Sequence, residues 1–221
     1  MLNTSVNELE VPVPVVAISA HCSAEQVTNI LLDHHQAVQR ALSHLYKLGH
    51  RRIAFMRGPH AIPDSEFRWE SIQQVAREMN LKLDPALTVR IDTSGWSTKT
   101  GQHPMAPEMG YKPMQALLER TRDFTAVFCF NDISAIGAIR ALKDAGLNVP
   151  GDVSVVGFDD ILSAAFVTPS LTTVRQPLRE MGRRGAKVLL ERIADRKKTF
   201  PTDIFMESEL IIRESTGPAK N

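Results

Sequence analysis

The sequence predicts an α/β fold built on mostly parallel sheets with helices on both faces, and three observations carry that prediction. Strand-like apolar runs alternate with runs of 3.6-residue apolar period from about residue 11 onward. Several of the strand runs are continuously apolar, as expected of strands buried on both sides. Glycine and Gly-Pro stops punctuate the junctions, so the chain reads as successive βαβ units.

Each element has its own signal. Val13–Ile18 reads as a buried strand and Ile30–Leu32 as a shorter one. Val38, Ala41, Leu42 and Leu45 share one helical face, and Gly49 is a helix stop. Arg52–Met56 is a strand closed by Gly58-Pro59. Phe67, Ile72, Val75 and Met79 are spaced for a helix packed on a sheet, and Leu87–Ile91 is a strand. Ser97–Met109, with Gly101, Pro104 and Pro107, reads as a loop. Tyr111, Met114, Leu117 and Leu118 mark a helix, Thr125–Phe130 a strand, and 133–145 a helix ended by Gly146. Asp152–Val156 is a strand, 177–194 a long helix and Ile204–Ile212 a closing strand. No internal repeat or low-complexity tract interrupts this order.

Bulk properties narrow the function. A chain of 221 residues can bury a substantial core, as one large domain or two small ones. A net charge of +1 gives no electrostatic reason to expect nucleic acid or a membrane surface as a direct partner. Cys22 and Cys129 lie far apart with no metal-type spacing, which fits a reducing cytosol. No apolar run approaches a membrane span, and the first residues carry no signal-peptide pattern.

The candidate chemistry sits at strand ends, where open α/β sheets bind ligands. Two apolar strands run into polar pairs: Phe128-Cys-Phe-Asn131-Asp132 and Val155-Val-Gly-Phe-Asp159-Asp160. Asn131 offers donor and acceptor, Asp159 acceptors only, so together they suit the hydroxyls of a small polar ligand. Asp132 and Asp160 read equally well as N-caps of the helices after them. Arg68 supplies a rigid fork of donors, although spacing alone favours a surface arginine in a weak ion pair. Trp96 either packs under its loop or stacks on a ligand ring.

The stretches LSHLYKLGHRRIAFMRGP (42–59), FCFNDISAIGAIRALKDAGLNVPGDVSVVGFDD (128–160) and TPSLTTVRQPLREMGRRGAKVLL (168–190) resemble the LacI/GalR family of bacterial transcriptional regulators, from about Val11 to Ser215. The resemblance implies a cytoplasmic dimer that reads operator DNA through a helix-turn-helix headpiece, joined by a hinge helix to a two-lobed sensor. The sensor would have the periplasmic-binding-protein-like (type I) fold of doubly wound parallel sheets. By position, Asp64, Arg68, Trp96, Asn131 and Asp159 look like the family's effector contacts. In sugar-sensing members of that family an aromatic ring stacks on the sugar face while Arg, Asn and Asp take the hydroxyls, so the resemblance implies a sugar or sugar derivative rather than a purine as effector.

Departures from the family pattern shape the remaining expectations. The headpiece and the first part of the N-terminal lobe have no counterpart in these residues. The expected organisation is a remnant of the N-terminal lobe at 1–33 and 176–199, and a nearly complete C-terminal lobe at 34–175 and 200–221. Val13–Ile18 would then expose a sheet edge. Ser19 stands where many sugar sensors have an acidic contact, and the loop 97–110 is longer than the family pattern. Homodimer pairing is expected through Ile133, Ile136 and Ile139 of the helix 133–145 and through Leu162–Phe166.

No cofactor, metal, catalytic residue or membrane partner is expected. An enzyme is disfavoured because GxGxxG, GxxxxGK[ST], GxSxG and HExxH are missing, and adjacent His34 and His35 read as surface or lobe-interface residues. Two alternatives stay open: a fragment without DNA binding that acts by dimerising with a full-length relative, and a sugar-binding protein of the same fold.

Overall fold

The computed structural model describes residues 13–24, 27–92, 106–195 and 197–220. The described residues divide into two compact units, within Met1–Asp33 plus Gln176–Ser208 and within His34–Arg175 plus Glu209–Asn221. The sequence-drawn boundary placed 200–208 in the second unit. It fails because the run Ile204–Ile212 is not one strand: it breaks into two short strands that join different sheets.

The first unit is a three-stranded parallel sheet of β1 (Val15–Ile18), β2 (Val27–Leu32) and β8 (Asp203–Met206), in the order β1-β2-β8. Helix α5 (Leu178–Ala194) packs on β1 and β2. Every residue of the central β2 is buried. Its Asn29 ties the sheet to a loop: Oδ1 accepts from the Cys22 amide, and Nδ2 donates to the Cys22 carbonyl and to Asp203 Oδ1 at 2.7 Å. β1 is shorter and less buried than the sequence suggests, with Val13 and Ile18 exposed. Among the described residues it pairs only with β2, so its other edge carries no described strand.

The second unit holds a six-stranded sheet. Its strands are β3 (Ile53–Arg57), β4 (Thr88–Arg90), β5 (Ala126–Cys129), β6 (Ser154–Asp159), β7 (Thr172–Arg175) and β9 (Glu209–Ile211). Their order is β4-β3-β5-β6-β7-β9, with only β9 antiparallel. Helices α1 (His34–Lys47) and α2 (Pro63–Glu78) pack together, as do α3 (Glu108–Arg120) and α4 (Asp132–Asp144). Alternation along the strands separates the two faces. Met56, Val127 and Val155 join the core under α3 and α4, while Phe55 turns the other way and meets Trp69 of α2 edge-on, ring centroids 6.0 Å apart. Gly49 and Gly146 stop α1 and α4 as the sequence implies, with φ +92° and +77° that suit glycine.

β7 escaped the sequence reading. Its Thr172 and Thr173 are fully buried, so it has no apolar signature; hydroxyl bonds satisfy it instead. β6 also runs three residues further than its apolar start suggests, ending at Asp159 itself.

Candidate functional site

Topology selects the place. From β3 the chain crosses by α2 to β4 on one side, then by α3 to β5 on the other. The connections therefore part at the carboxyl ends of β3 and β5, where such sheets open a crevice. Gly58, Phe130 and Asn131 lie there, and the amino-terminal half of α2 delivers Arg68.

Arg68 is no surface residue: it is 4% exposed. Its guanidinium lies 3.5 Å from the Phe158 ring centroid and 4.9 Å from that of Phe130, and Nη1 donates to the Phe130 carbonyl. Burial works against its charge, while Asp159, Asp64 and Asp132 support it. Nε has no hydrogen-bond partner among the described residues. Arg68 thus brings two expected contact residues, Asp64 and Asp159, into one electrostatic group, and its bond to Phe130 sets it beside Asn131. An adjacent cavity lined by Gly58, Ser65, Arg68 and Phe130 measures about 10 Å³.

The two polar pairs behave differently from each other. Asn131, not Asp132, caps α4. Its Oδ1 accepts from the Ser134 amide at 2.9 Å while Ser134 Oγ accepts from the Asn131 amide, a reciprocal box that leaves the carboxamide hydrogens for other acceptors. Asp132 is fully buried instead. Its oxygens accept from Thr173 Oγ1 at 2.5 Å and the Ile161 amide at 2.8 Å, and burial pushes its carboxyl up to about 7 against those bonds.

Asp160 caps nothing either. The 3-10 turn Leu162–Ala165 begins at Ile161 without a side-chain cap. Asp160 pairs with Arg175 at 2.6 Å and Arg213 at 2.7 Å, and these bonds overcome its burial and hold its carboxyl below the usual range. Asp159 ends β6 opposite Arg175 in the sheet register, and it and Asp160 are consecutive non-glycine residues at positive φ, +113° and +55°.

Asp64 is in the first turn of α2, 3.8 Å from His34 Nε2. His34 is mostly buried beside Phe158, ring centroids 6.3 Å apart, whereas His35 is a surface partner of Glu78 at 3.0 Å. Trp96 lies outside the described residues. Glu108 and Met109, read from the sequence as loop, already belong to α3.

Sequence reasoning missed two features here. The rings of Phe158 and Phe130 both lie near the Arg68 guanidinium, which no spacing rule signals. Glu66 is gripped by Arg57 at 2.9 Å and Arg90 at 2.6 Å, with Arg57 stacked on Trp69, a network drawn from two strands and a helix. Among the described residues no group of three or more His, Cys, Asp or Glu is placed to hold a metal, and no helix is long and apolar enough to cross a membrane.

A doubly wound parallel sheet with polar residues gathered at its switch point is the architecture of a periplasmic-binding-protein-like domain, and comparison with known proteins agrees. Residues 42–216 match the family model of the periplasmic binding protein-like domain. The chain belongs to that family, among the LacI-type regulators. It is 34% identical to the HTH-type transcriptional repressor CytR of Escherichia coli K12 over 92% of its own length and 56% of that repressor's, so it spans little more than half of that relative. Among solved structures it is similar to the transcriptional regulator CelR–cellobiose complex, at 31% identity and TM-score 0.76 over 91% of this chain and 58% of that one. It is also similar to a LacI family regulator from Enterococcus faecium with bound ribose, at 27% identity and TM-score 0.76 over 94% and 72%.

Proposed function

We propose that this chain is the effector-binding and dimerisation region of a LacI-type transcriptional regulator, and that it senses a sugar. The observation that carries this reading is the buried, unevenly satisfied Arg68 at the switch point, whose charge is supported by Asp159 and Asp64 and whose Nη1 donates to the carbonyl of Phe130, the residue before Asn131. A guanidinium fork, a carboxamide and carboxylates suit the vicinal hydroxyls of a sugar. The cellobiose and ribose held by the two similar regulators support that ligand class. Trp96 is assigned the ring-stacking role. Operator binding is assigned to a separate headpiece, because these residues carry no helix-turn-helix pattern or basic stripe.

For dimerisation the supporting surface is apolar and exposed. Leu162 and Phe166 are 81% and 78% exposed, with half-buried Ile133 and Ile136 on α4. Ile139, expected on the same face, is buried in the core and is withdrawn from it.

Thermal unfolding against pentoses, hexoses, disaccharides, sugar phosphates and nucleosides tests the sensor reading. A sugar at about a hundred times its Kd should add about 2.7 kcal/mol, or about 5–10 °C in a chain of this size. A shift from nucleosides alone, or from nothing in the panel, would overturn the sugar assignment.

A further inference from the structure

The buried carboxyl of Asp132 has no part in the proposed ligand contacts, yet it touches the elements that carry them. Oδ2 accepts from the Ile161 amide, at the end of the turn that carries Asp159 and Asp160. Oδ1 accepts from Thr173 on β7. A side chain on Gly157 of β6 would overlap Oδ1, so glycine there leaves the carboxyl its room. The turn itself needs holding, because Asp159 and Asp160 are consecutive non-glycine residues at positive φ, and the +113° of Asp159 lies beyond even the αL region that aspartate tolerates. It is held from two sides: Arg175 and Arg213 grip Asp160, and Asp132 grips Ile161.

We propose that Asp132 is the positioning residue of this site, a buried carboxylate that joins the amino end of α4 to the strained turn and so sets the spacing between Asn131 and Asp159. The linkage is short. Asn131 precedes Asp132 in the chain and is locked by its own cap, while Ile161 comes directly after Asp160. The significance of that spacing rests on the proposed ligand reading; the positioning itself does not.

Asp132 also makes the spacing sensitive to pH. A protonated carboxyl accepts less strongly from the Ile161 amide and the Thr173 hydroxyl. The charged and titratable groups around it come from every neighbouring element: Asp159 and Asp160 at the end of β6, Arg68 on α2, Cys129 on β5, His34 beside Phe158, and Arg175 and Arg213 behind Asp160. Asp159 and Asp160 favour the protonated form, as does burial, so the carboxyl exchanges its proton near neutrality.

The test is amide NMR on the full chain between pH 5.5 and 8.5. In the wild type the Ile161 amide should titrate near neutral pH and resist hydrogen exchange. Asp132→Asn should abolish that titration and lower protection of Ile161 at least tenfold, while His34→Gln leaves both unchanged. An Ile161 amide that is flat with pH in the wild type, or that still titrates in Asp132→Asn, overturns the proposal. Should Asp132→Asn not fold, Thr173→Val keeps the carboxylate but removes one donor, and should move the Ile161 midpoint upward; an unmoved midpoint overturns the proposal as well. A second arm uses cellobiose and D-ribose. Whichever stabilises the wild type should bind Asp132→Asn at least tenfold more weakly, and equal affinity counts against positioning. If neither sugar binds the wild type, that failure falls on the ligand reading, and the Ile161 amide still decides the role of Asp132.

Discussion

The ends of β5 and β6 look alike in sequence, since each is an apolar strand leading into a polar residue and an aspartate. They become opposites in the fold. After β5 the first polar residue, Asn131, caps a helix, and the aspartate sinks into the core with neutral donors. After β6 the backbone turns left-handed and the aspartate meets two arginines near the surface. Asp132 therefore has its carboxyl raised and Asp160 has it lowered. The difference teaches that an aspartate's electrostatics belong to its partners. Arg175 and Arg213 come from β7 and from the segment after β9, 15 and 53 residues along the chain from Asp160.

The largest way to break this comparison is to remove the aromatic floor common to Arg68 and the end of β6. Phe158→Ala should cost about 3–5 kcal/mol by chemical denaturation and should also release Arg68, because Phe158 is fully buried and lies under the guanidinium. A loss below about 1 kcal/mol would show that the floor is not structural. Asp160→Ala should cost about 2–3 kcal/mol, less than a fully buried pair because Arg175 is half exposed. Asn131→Ala should cost about 1 kcal/mol, the loss of a cap.

The sharpest contrast is in pH. Asp160 has a folded pKa below the ordinary aspartate value, so its stabilisation is present above that value and lost as pH falls through the folded pKa. Asp132 is raised from 3.8 to about 7 in the folded state. The native protein then holds a proton that the unfolded chain has released, and this group's contribution to stability declines as pH rises between those values. Stability measured from pH 3 to 8 should lose its acid limb in Asp160→Asn and its decline toward neutrality in Asp132→Asn. Identical profiles for the two variants would mean the two environments do not differ as the geometry says. The smallest expected effect is on folding in Asp159→Asn, which should unfold within about 1 kcal/mol of the wild type yet bind the panel sugar about tenfold or more weakly; equal loss of both would remove Asp159 from the site.

Much of the parallel architecture was legible along the chain. Continuous apolar runs such as Val155-Val156 mark buried strands because a sheet covered on both faces has no polar side. Gly49 and Gly146 mark helix ends because their positive φ penalises other residues. β7 was illegible because buried threonines satisfy their hydroxyls through Arg213 and Asp132, and those partners are not local. The run 204–212 was misread because period-2 patterning does not register a change of sheet between Met206 and Glu209.

The candidate site divides the same way. Sequence alone placed Asn131 and Asp159 at strand ends, because a strand's end is a local event written in the switch from apolar to polar residues. Only the tertiary structure could bury Arg68 beside Phe158 and Phe130, give the helix cap to Asn131 rather than Asp132, and leave Asp132 in the core with its carboxyl raised. Each of those outcomes depends on desolvation and on partners many residues away. Desolvation and charge pairing act through space, and their strength is set by distances that no stretch of sequence contains.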